Sequence, residues 1–581
     1  MLRIPGYFNY PNTTLKAHGS WQYGTQSMNN IASLLLRFRA NPQKILYSQY
    51  VDDAWRDYAA HEVMSLAARW QQSFLDHGLE QGDRIALCVK NGVNWVAIDQ
   101  AALGLGLVVV PLYVNDNAEN IAWCIANAEA RLLVLENIRM LETLSPTLAP
   151  SPTVICMQAD APAPAVSVDT WLPQQAGEFM VLELAPDTLA SIVYTSGTTG
   201  RPKGVKLSHR NILSNVEAIY ESVRVYDSDT LMSVLPLSHM FERTCGYYTP
   251  LNVGAKVVYS RGINQLAEDL TLHKPTVLVA VPRIFERFLV KIEKNIAQAW
   301  LKKKLFPLTV KLGWRVFQKR ATWLEKAIYA SLKKQVAAPI MAKLGGRLRF
   351  AVLGGAAIEA RIAQTFTALG LQLIQGYGLT ETSPVISGSE RAPDPLSAGH
   401  PMQNLELRLS QAHELLVRGP SVMLGYWRNP EATHAILSED GWLNTGDLAD
   451  VRDGRIYIKG RSKDVLVLSN GEKLPPGEVE QAILNDELFD QVMLIGEGRS
   501  YLTLLAVTAE TDEKKLIKQA NSQLKQFPRY IRVRRVIALK EPWSIENGLL
   551  TPTLKVKRAM VSERFKDLIA SVYDNASASE K

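Results

Sequence analysis

The sequence predicts an α/β protein with more than one domain. Short apolar segments at residues 84–89, 107–112 and 131–135 have the length and composition of buried strands, and helical patterns at 94–103 and 117–128 separate them. Strands that alternate with helices are typical of a parallel sheet covered by helices on both faces. A chain of 581 residues also exceeds what one hydrophobic core usually organises, so we expect two or more domains.

Three other segments lead to predictions about local structure. Residues 55–76 have apolar side chains at helical spacing, which predicts one helix ended by Gly78. Residues 145–164 are rich in proline, alanine and serine, so we expect a surface connection before the sheet resumes at Thr188. Residues 231–237 form an apolar run that predicts a buried strand.

The composition is that of a globular protein, with 47% hydrophobic and 21% charged residues. No stretch approaches the roughly 18 uncharged apolar residues of a membrane span, and the first residues lack the apolar core of a signal peptide. The four cysteines are scattered without metal-ligand spacing and mostly have apolar neighbours. We therefore expect reduced thiols in the core of a cytoplasmic protein.

The net charge of +7 is concentrated in one segment. Residues 300–349 contain 13 lysines and arginines against a single acid, Glu325, and so carry +12, which leaves −5 for the rest of the chain. A mildly acidic protein with one basic patch does not have the charge distribution of a nucleic-acid binder. Within the patch, leucines recur every three or four residues among basic residues, and Trp300, Trp314 and Trp323 are interspersed.

This patch predicts a basic helical insertion at about residues 295–347. Basic amphipathic helices with tryptophan favour the surface of an anionic membrane. The alternative is a solvated insertion that packs on the rest of the protein through its leucines, and both interpretations can hold together. Peripheral membrane association through residues 300–349 is therefore one hypothesis for this segment.

Residues 194–205, with the sequence YTSGTTGRPKGV, are the first motif that indicates chemistry. They follow the apolar strand 189–193 and precede Ser208, which we expect to cap the amino terminus of a helix. Glycines allow close backbone approach, hydroxyl and amide donors can meet phosphate oxygens, and Lys203 adds a positive charge. The spacing fits neither the common P-loop nor a Rossmann loop. The segment therefore predicts a polyphosphate site of another kind.

Three later motifs would complete a nucleotide site around this loop. An apolar strand runs into Gly-Gly-Ala-Ala at residues 354–357, which leaves a flat ledge of backbone for a planar ring. The sequence QGYGLTET follows at residues 375–382. Asp447 is a candidate partner for two adjacent ribose hydroxyls, because a carboxylate accepts two hydrogen bonds, and Arg461 would lie alongside it.

The order of these motifs closely resembles the adenylate-forming superfamily of acyl-CoA synthetases, luciferases and adenylation domains, over most of the chain. LSHMFER at residues 237–243, LTPTLK at 550–555 and the basic insertion resemble the long-chain fatty acid–CoA ligases. The resemblance implies a large amino-terminal domain of stacked α/β subdomains with a small β-rich subdomain, hinged to a small α+β carboxy-terminal domain. We expect the division into residues 1–461 and 462–581, with Lys463 as the hinge.

The resemblance also implies roles for individual residues. Tyr377 would stack on adenine, Thr380 would donate to a phosphate, and Glu381 would bind Mg²⁺, which prefers carboxylate and phosphate oxygens. His239 would form the wall between the nucleotide and the acyl group. The residues expected around ATP or AMP are Thr195, Ser196, Gly197, Thr198, Thr199, Gly200, Lys203, Gly354, Gly355, Ala356, Gln375, Gly376, Tyr377, Gly378, Thr380, Asp447 and Arg461.

The catalytic lysine of the carboxy-terminal domain is expected at Lys555. Many family members have Ser-Gly before this lysine, whereas this chain has Thr553-Leu554. The wider motif still resembles long-chain members, which favours Lys555 over Lys557. The catalytic residues that we expect are Lys555, Thr380, Glu381 and Lys203.

These residues would serve the two-step activation of a long-chain fatty acid. The acid carboxylate attacks the α-phosphorus of ATP, which gives an acyl-adenylate and pyrophosphate, and the thiol of CoA then displaces AMP. Neither a Ser/His/Asp triad nor a covalent enzyme intermediate is expected. The resemblance thus implies a long-chain fatty acid–CoA ligase that uses ATP, Mg²⁺ and coenzyme A.

Two alternatives stay open. The first is a fatty acyl-AMP ligase or an acyl–carrier protein ligase. The second is a non-catalytic nucleotide- or lipid-binding protein at the membrane, which the loss of Lys203, Glu381, Asp447 or Lys555 would indicate; all four residues are present. The expected partners are a fatty acid, ATP and CoA, and not nucleic acid. A homodimer and attachment to the cytoplasmic face of a membrane are both compatible with the sequence.

Overall fold

The computed structural model describes residues 2–3, 29–144, 152–159, 161, 163–195, 201–298, 300–388, 394, 397–525, 527–528, 530–545, 547–551 and 555–579. Up to the first glycine-rich loop, its elements are β1 (Leu2–Arg3), α1 (Ser33–Leu36), β2 (Ile45–Val51), β3 (Ala54–Ala59), α2 (Ala60–Asp76), β4 (Arg84–Cys88), α3 (Val93–Gly104), β5 (Val108–Pro111), α4 (Ala118–Ala128), β6 (Leu132–Leu135), α5 (Ile138–Leu144), β7 (Thr153–Cys156), β8 (Val166–Ser167), α6 (Val168–Trp171) and β9 (Leu189–Thr195).

After that loop, the elements are β10 (Lys203–Ser208), α7 (His209–Ser222), β11 (Thr230–Ser233), α8 (Thr249–Val253), β12 (Lys256–Tyr259), α9 (Leu266–His273), β13 (Val277–Ala280), α10 (Pro282–Ala297), α11 (Trp300–Phe317), α12 (Trp323–Leu332), α13 (Ala338–Ala342), β14 (Phe350–Leu353), α14 (Ala360–Leu369), β15 (Gln372–Gln375), β16 (Tyr377–Gly378), β17 (Val385–Ser387), β18 (Glu406–Leu409), β19 (Glu414–Arg418), β20 (Gly425–Tyr426), α15 (Pro430–His434), β21 (Leu443–Arg452) and β22 (Arg455–Arg461). The last part contains β23 (Leu466–Val467), β24 (Lys473–Leu474), α16 (Pro476–Ile483), β25 (Gln491–Ile495), β26 (Leu502–Val507), α17 (Glu513–Gln523), β27 (Val533–Leu539), α18 (Arg558–Arg564) and α19 (Lys566–Ser579).

An eight-stranded sheet has the order β20-β10-β9-β5-β4-β6-β7-β8. Strands β9, β5, β4, β6, β7 and β8 pair in parallel, whereas β10 and β20 are added antiparallel at one edge. Its strands are short and almost wholly buried, as parallel strands covered on both faces must be. The alternating pattern in the sequence therefore predicted this sheet correctly.

A seven-stranded sheet has the order β15-β14-β13-β11-β12-β2-β3. All of its pairs are parallel except the hairpin of β2 and β3. One hydrophobic cluster contains residues of both sheets, such as Ile85 on β4 and Leu231 on β11. The two sheets therefore share a core, and the segments between them are shielded from solvent.

The helix predicted at residues 55–76 begins later than expected, at Ala60. Residues before it belong to β3, which pairs with β2 across a turn where Asp52 and Asp53 have φ of 48° and 60°. The Glu62 carboxylate accepts the backbone N–H of the residue before the helix at 2.8 Å, which fixes the helix start. Hairpin pairing thus outweighs helical spacing in this segment.

Two other local predictions were also wrong in part. The stretch 145–164 contains β7, a strand of the eight-stranded sheet in which Ile155 is fully buried. The strand predicted at 231–237 ends at Ser233, and the chain then turns, with the Pro236 carbonyl accepting a backbone hydrogen bond. For residues 145–164, the composition suggested a loop because prolines flank the very short apolar run that forms β7.

Two smaller sheets complete the fold. Strands β1, β18, β19, β21 and β22 form a five-stranded antiparallel sheet, which matches the expected β-rich subdomain. Strands β25, β26 and β27 form a three-stranded sheet near the carboxy terminus, with hydrophobic clusters made only of residues after β22. The expected arrangement of a large α/β domain and a small α+β domain is therefore confirmed.

The basic segment consists of helices α11, α12 and α13. Helix α11 packs against α14 so closely that a side chain at Gly313 would collide with the Ala368 carbonyl oxygen. The hydroxyl of Tyr329 donates to the same oxygen at 2.6 Å. The outer surface keeps large apolar side chains in solvent, with Trp300 70% exposed and Trp323 80% exposed. In the described part of the chain, no helix is both long and apolar enough to cross a bilayer.

Candidate active site

The hydroxyl- and glycine-rich loop connects two antiparallel strands. Thr195 ends β9 and lies opposite Lys203, which begins β10, and the Thr195 hydroxyl contacts the Lys203 carbonyl oxygen at 3.5 Å. Ser196, Gly197, Thr198, Thr199 and Gly200, which the sequence assigned to the phosphate site, lie outside the described residues. Strand β10 leads into α7, where Ser208 caps the helix by accepting the Asn211 N–H at 3.1 Å, as predicted.

A lysine, a tyrosine and a carboxylate meet beside this loop. Strand β20 pairs with β10, which brings Tyr426 next to Lys203, whose ammonium lies 5.3 Å from the centre of the tyrosine ring. The Tyr426 hydroxyl donates to Glu381 Oε1 at 2.7 Å. Glu381 belongs to a short 3-10 turn, Thr380–Thr382, and its carbonyl oxygen accepts the Met423 N–H at 2.9 Å. The site therefore presents a cation and a carboxylate side by side.

A flat ledge of backbone follows β14. A Cβ atom at Gly354 would lie 2.8 Å from the ring of Phe241, so a side chain here would displace that ring. Gly355 has φ of +85°, and Gly355 and Ala356 are exposed. The Gln375 side chain accepts the Ile358 N–H at 2.9 Å, which ties the end of the ledge to β15. The binding of a planar ring on this ledge stays a prediction.

Tyr377, Asp447 and Arg461 form one hydrogen-bonded group. The Tyr377 hydroxyl donates to Asp447 Oδ2 at 2.6 Å, and Arg461 Nε lies 3.3 Å from Asp447 Oδ1. Asp447 and Arg461 face each other across β21 and β22, so sheet register sets their pairing. Burial raises the pKa of Asp447, while Arg461, the Tyr377 hydroxyl and Lys555 act in the opposite direction. Burial and Asp447 raise the pKa of Tyr377, so its hydroxyl stays protonated and can donate.

Lys555 lies in the same cleft although it comes from the carboxy-terminal domain. Its backbone N–H donates to the Thr551 hydroxyl at 3.0 Å, and its carbonyl oxygen accepts the Thr551 N–H at 2.8 Å. Lys555 is an exposed residue, and desolvation by the surrounding protein, followed by Arg461, lowers the pKa of its ammonium, whereas Asp447 acts in the opposite direction. Lys555 also affects the titration of Asp447 and His239. The structure therefore brings these residues into electrostatic contact.

His239 is an uncharged donor at the edge of this cleft. Burial, with a smaller effect from Lys555, lowers the pKa of His239 to about 4. Its Nδ1 accepts the Phe241 N–H at 3.2 Å, so the proton of the neutral ring resides on Nε2. Because Phe241 packs on the Gly354 ledge, the His239–Phe241 segment forms a wall beside this ledge.

Lys463, the expected hinge, belongs to the 3-10 turn Ser462–Asp464 directly after β22. The Ser462 hydroxyl donates to the Gly446 carbonyl oxygen at 3.1 Å, one residue before Asp447. The turn is thus attached on one side to the strand that carries Asp447, and on the other side it leads into the carboxy-terminal domain.

Two residues of the site were missed in the sequence. The Tyr426 hydroxyl donates to Glu381, although no motif in the sequence indicated Tyr426 as a site residue. Phe241 had been treated as part of a motif without a separate role, although its ring supports the ledge. The signal available in the sequence was the position of each aromatic residue. Tyr426 directly follows Gly425, and Phe241 lies two residues after His239. Among the described residues, no group of three or more His, Cys, Asp or Glu could hold a metal by protein ligands alone.

Glu242, next to the wall, supports a prediction about pH and stability. Burial raises the pKa of its carboxyl to about 8, from an ordinary value of 4.5. Between these values the folded protein keeps a proton that the unfolded chain has lost, so rising pH destabilises the fold. We expect the melting temperature to fall between about pH 5 and about pH 8, and to fall less in Glu242→Gln. Calorimetry at constant ionic strength measures both slopes, and equal slopes would contradict this assignment.

Comparison with known proteins places these features in one family. Residues 37–427 match the family described as AMP-binding enzyme, and residues 463–577 match its carboxy-terminal domain. The chain is 29% identical to the long-chain-fatty-acid–CoA ligase FadD15 of Mycobacterium bovis, over 94% of this chain and 97% of that protein. It is 30% identical to human long-chain-fatty-acid–CoA ligase 1, over 84% and 78%. It is 26% identical to the chloroplastic long-chain-fatty-acid–[acyl-carrier-protein] ligase AEE15 of Arabidopsis thaliana, over 95% and 86%.

Solved structures show the same fold. ATP-bound MatB from Rhodopseudomonas palustris superposes with a TM-score of 0.72 at 22% identity, covering 93% of this chain and 99% of that one. The anthranilate CoA ligase AuaEII in complex with anthranoyl-AMP superposes with a TM-score of 0.74 at 19% identity, covering 93% and 98%.

Proposed function

Since this chain belongs to the AMP-binding enzyme family, we propose that it is an ATP-dependent long-chain fatty acid–CoA ligase. The observation that supports this most is the position of Lys555, which acts on both His239 and Asp447 although it belongs to the carboxy-terminal domain. A cation there would lie between a nucleotide held by Asp447 and an acyl group bounded by His239. The relatives named as long-chain fatty acid–CoA ligases favour a long aliphatic acid as the substrate.

In the first step, a carboxylate oxygen of the fatty acid attacks the α-phosphorus of ATP, and pyrophosphate leaves. Two anions must approach each other, so charge neutralisation and in-line placement are the main contributions that the protein can make. Lys203 and the loop hydroxyls would hold the leaving pyrophosphate, and Lys555 would neutralise charge at the α-phosphate. His239, with its proton on Nε2, would border the acyl carboxylate as a neutral donor.

Glu381 fits the requirement for a Mg²⁺ ligand. Mg²⁺ is commonly held by one or two carboxylates together with substrate phosphates, and Glu381 lies beside the base of the phosphate loop. Mg²⁺ at this position would neutralise charge on the phosphates. The Tyr426 hydroxyl orients the carboxylate by its 2.7 Å hydrogen bond, and Thr380 in the same turn would donate to a phosphate oxygen.

The second step transfers the acyl group to a thiol. The sulfur of CoA attacks the acyl carbon, its proton leaves, and AMP departs with the bridging oxygen. Lys555 is then no longer needed, and a rotation of the carboxy-terminal domain would remove it and admit the thiol. In this proposal the domains divide between residues 461 and 462, and Lys463 in the turn after β22 is the pivot.

An acyl–carrier protein ligase is the second candidate, because one relative of similar coverage is named as such. The deciding experiment measures AMP release from ATP with a series of fatty and aromatic acids. Each reaction is run with CoA, with a holo acyl carrier protein, or with neither. We expect multiple turnovers with long-chain acids and CoA. Turnover with the carrier protein alone would favour the second candidate, and no acid-dependent AMP release would refute both.

We further propose that the basic insertion attaches the enzyme to the cytoplasmic face of an anionic membrane. Leu324 and Ile328 on α12 are 53% and 42% exposed, beside the still more exposed Trp323. Exposed tryptophan on a helical surface with a charge of +12 matches the requirements for interfacial binding. Such attachment would give the site access to fatty acids dissolved in the bilayer.

This membrane proposal predicts the behaviour of a double variant. Trp300→Ala with Trp323→Ala should lower affinity for phosphatidylglycerol-containing vesicles by about tenfold, since each change removes an apolar anchor. Turnover of a water-soluble medium-chain acid should not change. Vesicle co-sedimentation measures the first quantity, with Tyr220→Ala as the control because Tyr220 is exposed to 46% elsewhere on the surface. Equal binding by the double variant and the control would refute the attachment.

A further inference from the structure

A buried π-helix, Glu242–Tyr248, begins directly after the wall formed by His239 and Phe241. Helices of this kind are rare and are frequently found at functional sites, although a second one, Lys333–Ala337, lies in the basic segment. Glu242 and Arg243, at its start, are both completely shielded from solvent. The proposed reaction uses neither side chain on the substrate, so their burial requires another explanation.

The Glu242 side chain attaches the π-helix to the seven-stranded sheet. The Ser233 hydroxyl, at the end of β11, donates to Glu242 Oε1 at 2.6 Å. Gly246 leaves room for this carboxyl group, because a side chain at that position would collide with it. In the same sheet, β14 runs into the ledge at Gly354. Glu242 therefore connects the wall to the sheet that presents the ledge.

The Arg243 side chain attaches the π-helix to the eight-stranded sheet. Its Nη1 donates to the Ser191 hydroxyl at 2.8 Å, and its Nη2 forms an ion pair with Asp99 on α3. The Ser191 hydroxyl in turn donates to the Val109 carbonyl oxygen at 2.6 Å. Ser191 lies on β9, four residues before Thr195 at the base of the phosphate loop. Arg243 therefore connects the same wall to the sheet that presents the phosphate loop.

The direction of the Arg243 side chain is fixed from several sides. Asp99 Oδ2 also accepts the hydroxyls of Tyr247 at 3.1 Å and Tyr248 at 2.9 Å. The guanidinium lies 5.2 Å from the ring centre of Trp95. The carboxylate thus accepts donors from both ends of the π-helix, and the arginine cannot rotate without breaking an ion pair inside the core.

A buried ion pair is a weak argument for stability, because desolvation of both charges offsets most of their attraction. What such an ion pair does provide is a fixed orientation of the side chain, because the planar guanidinium group donates its hydrogen bonds only in a narrow range of geometries. Two adjacent side chains that point to two different sheets would fix the wall between them. A misplacement of about 1 Å between reacting groups can cost about 100-fold in rate, so this placement has a large effect on catalysis.

We propose that Glu242 and Arg243 are positioning residues that clamp the His239–Phe241 wall to both sheets, and thereby set where the fatty acid carboxylate meets the α-phosphate. The inference rests on the proposed function. It predicts that loosening the clamp harms binding and reaction of the acid much more than binding of the nucleotide, because Asp447 and Arg461 lie on other elements.

The test compares Arg243→Met and Arg243→Lys with the control Arg261→Met, which breaks the pairing of Arg261 with the buried Asp269 elsewhere. In Arg243→Met we expect the KM for the fatty acid to rise about tenfold and the adenylation rate to fall about 100-fold, with the Kd for AMP within about twofold of wild type. Arg243→Lys should recover part of the loss because it keeps the charge. The control should lose melting temperature without a change in the KM for the acid.

Ser191→Ala and Ser233→Ala provide a milder form of the test if Arg243→Met does not fold. Each removes one attachment and no charge, and each should raise the KM for the acid about threefold, with the two effects multiplying in the double variant. The clamp is overturned if the acid KM of Arg243→Met changes no more than that of the control, if the Kd for AMP rises in parallel, or if both serine variants keep the wild-type KM. Absence of acid activation by the wild-type enzyme would instead refute the proposed function.

Discussion

Replacing Lys555 with alanine is expected to lower the rate of acyl-adenylate formation by about 100- to 1,000-fold, which is the usual cost of removing one charge-stabilising donor from a transition state. Thioester formation from supplied acyl-AMP should stay within about threefold of wild type, since the second step does not use this cation. Acid-dependent ATP–pyrophosphate exchange measures the first step, and release of AMP from acyl-AMP and CoA measures the second.

The matched control for this experiment is Lys557→Ala. Lys557 lies two residues further along, and its backbone N–H donates to the Leu549 carbonyl oxygen. We expect near-normal rates for both steps in the control. An equal loss of both steps in Lys555→Ala would show that the lysine supports the fold of its domain, and a loss in Lys557→Ala alone would move the catalytic role to that residue.

Asp447→Ala is expected to weaken AMP binding by at least about 100-fold. Hydrogen bonds to a charged acceptor contribute about 1.5–3 kcal/mol each, and this carboxylate could accept one from each ribose hydroxyl. The change also leaves Arg461, which lies 3.3 Å from the carboxylate, without its partner in β21. Isothermal titration with AMP measures the effect directly and does not depend on the identity of the acid.

Asp450→Ala serves as the control for Asp447→Ala. It lies on the same strand and forms an ion pair with Arg452 at the surface, 2.8 Å away. Loss of this exposed pair should change AMP binding by less than about twofold. Asp447→Asn should fall between alanine and wild type, because the amide oxygen can still accept the Tyr377 hydroxyl. A wild-type affinity in Asp447→Ala would rule out the ribose contact.

Local patterns predicted the parts of the fold that depend on neighbouring residues. The apolar runs gave the central strands of both sheets, and the Ser208 cap was correct because a capping box needs only residues three apart. The order of the glycine-rich motifs identified the candidate nucleotide site. Each single run, cap or motif is contained in fewer than about 15 consecutive residues, and only the order of the motifs extends over a longer part of the chain.

Contacts between distant segments could not be predicted in this way. Tyr377 and Asp447 are 70 residues apart, and their hydrogen bond depends on how two sheets face each other. Asp99 and Arg243 are 144 residues apart, and nothing in either motif indicates that they pair. The helix start at Ala60 was missed for a different, local reason, because hairpin pairing with the neighbouring strand β2 makes the preceding residues a strand.

The transfer of oxygen tests the central claim most directly. A long-chain fatty acid labelled with ¹⁸O in both carboxylate oxygens is converted with ATP and CoA. Mass spectrometry then measures the ¹⁸O content of AMP, acyl-CoA and pyrophosphate. If the carboxylate attacks the α-phosphorus and the thiol then displaces AMP, each turnover places one ¹⁸O in AMP and leaves one in the acyl-CoA carbonyl. AMP without label, or label in pyrophosphate, would contradict an acyl-adenylate pathway.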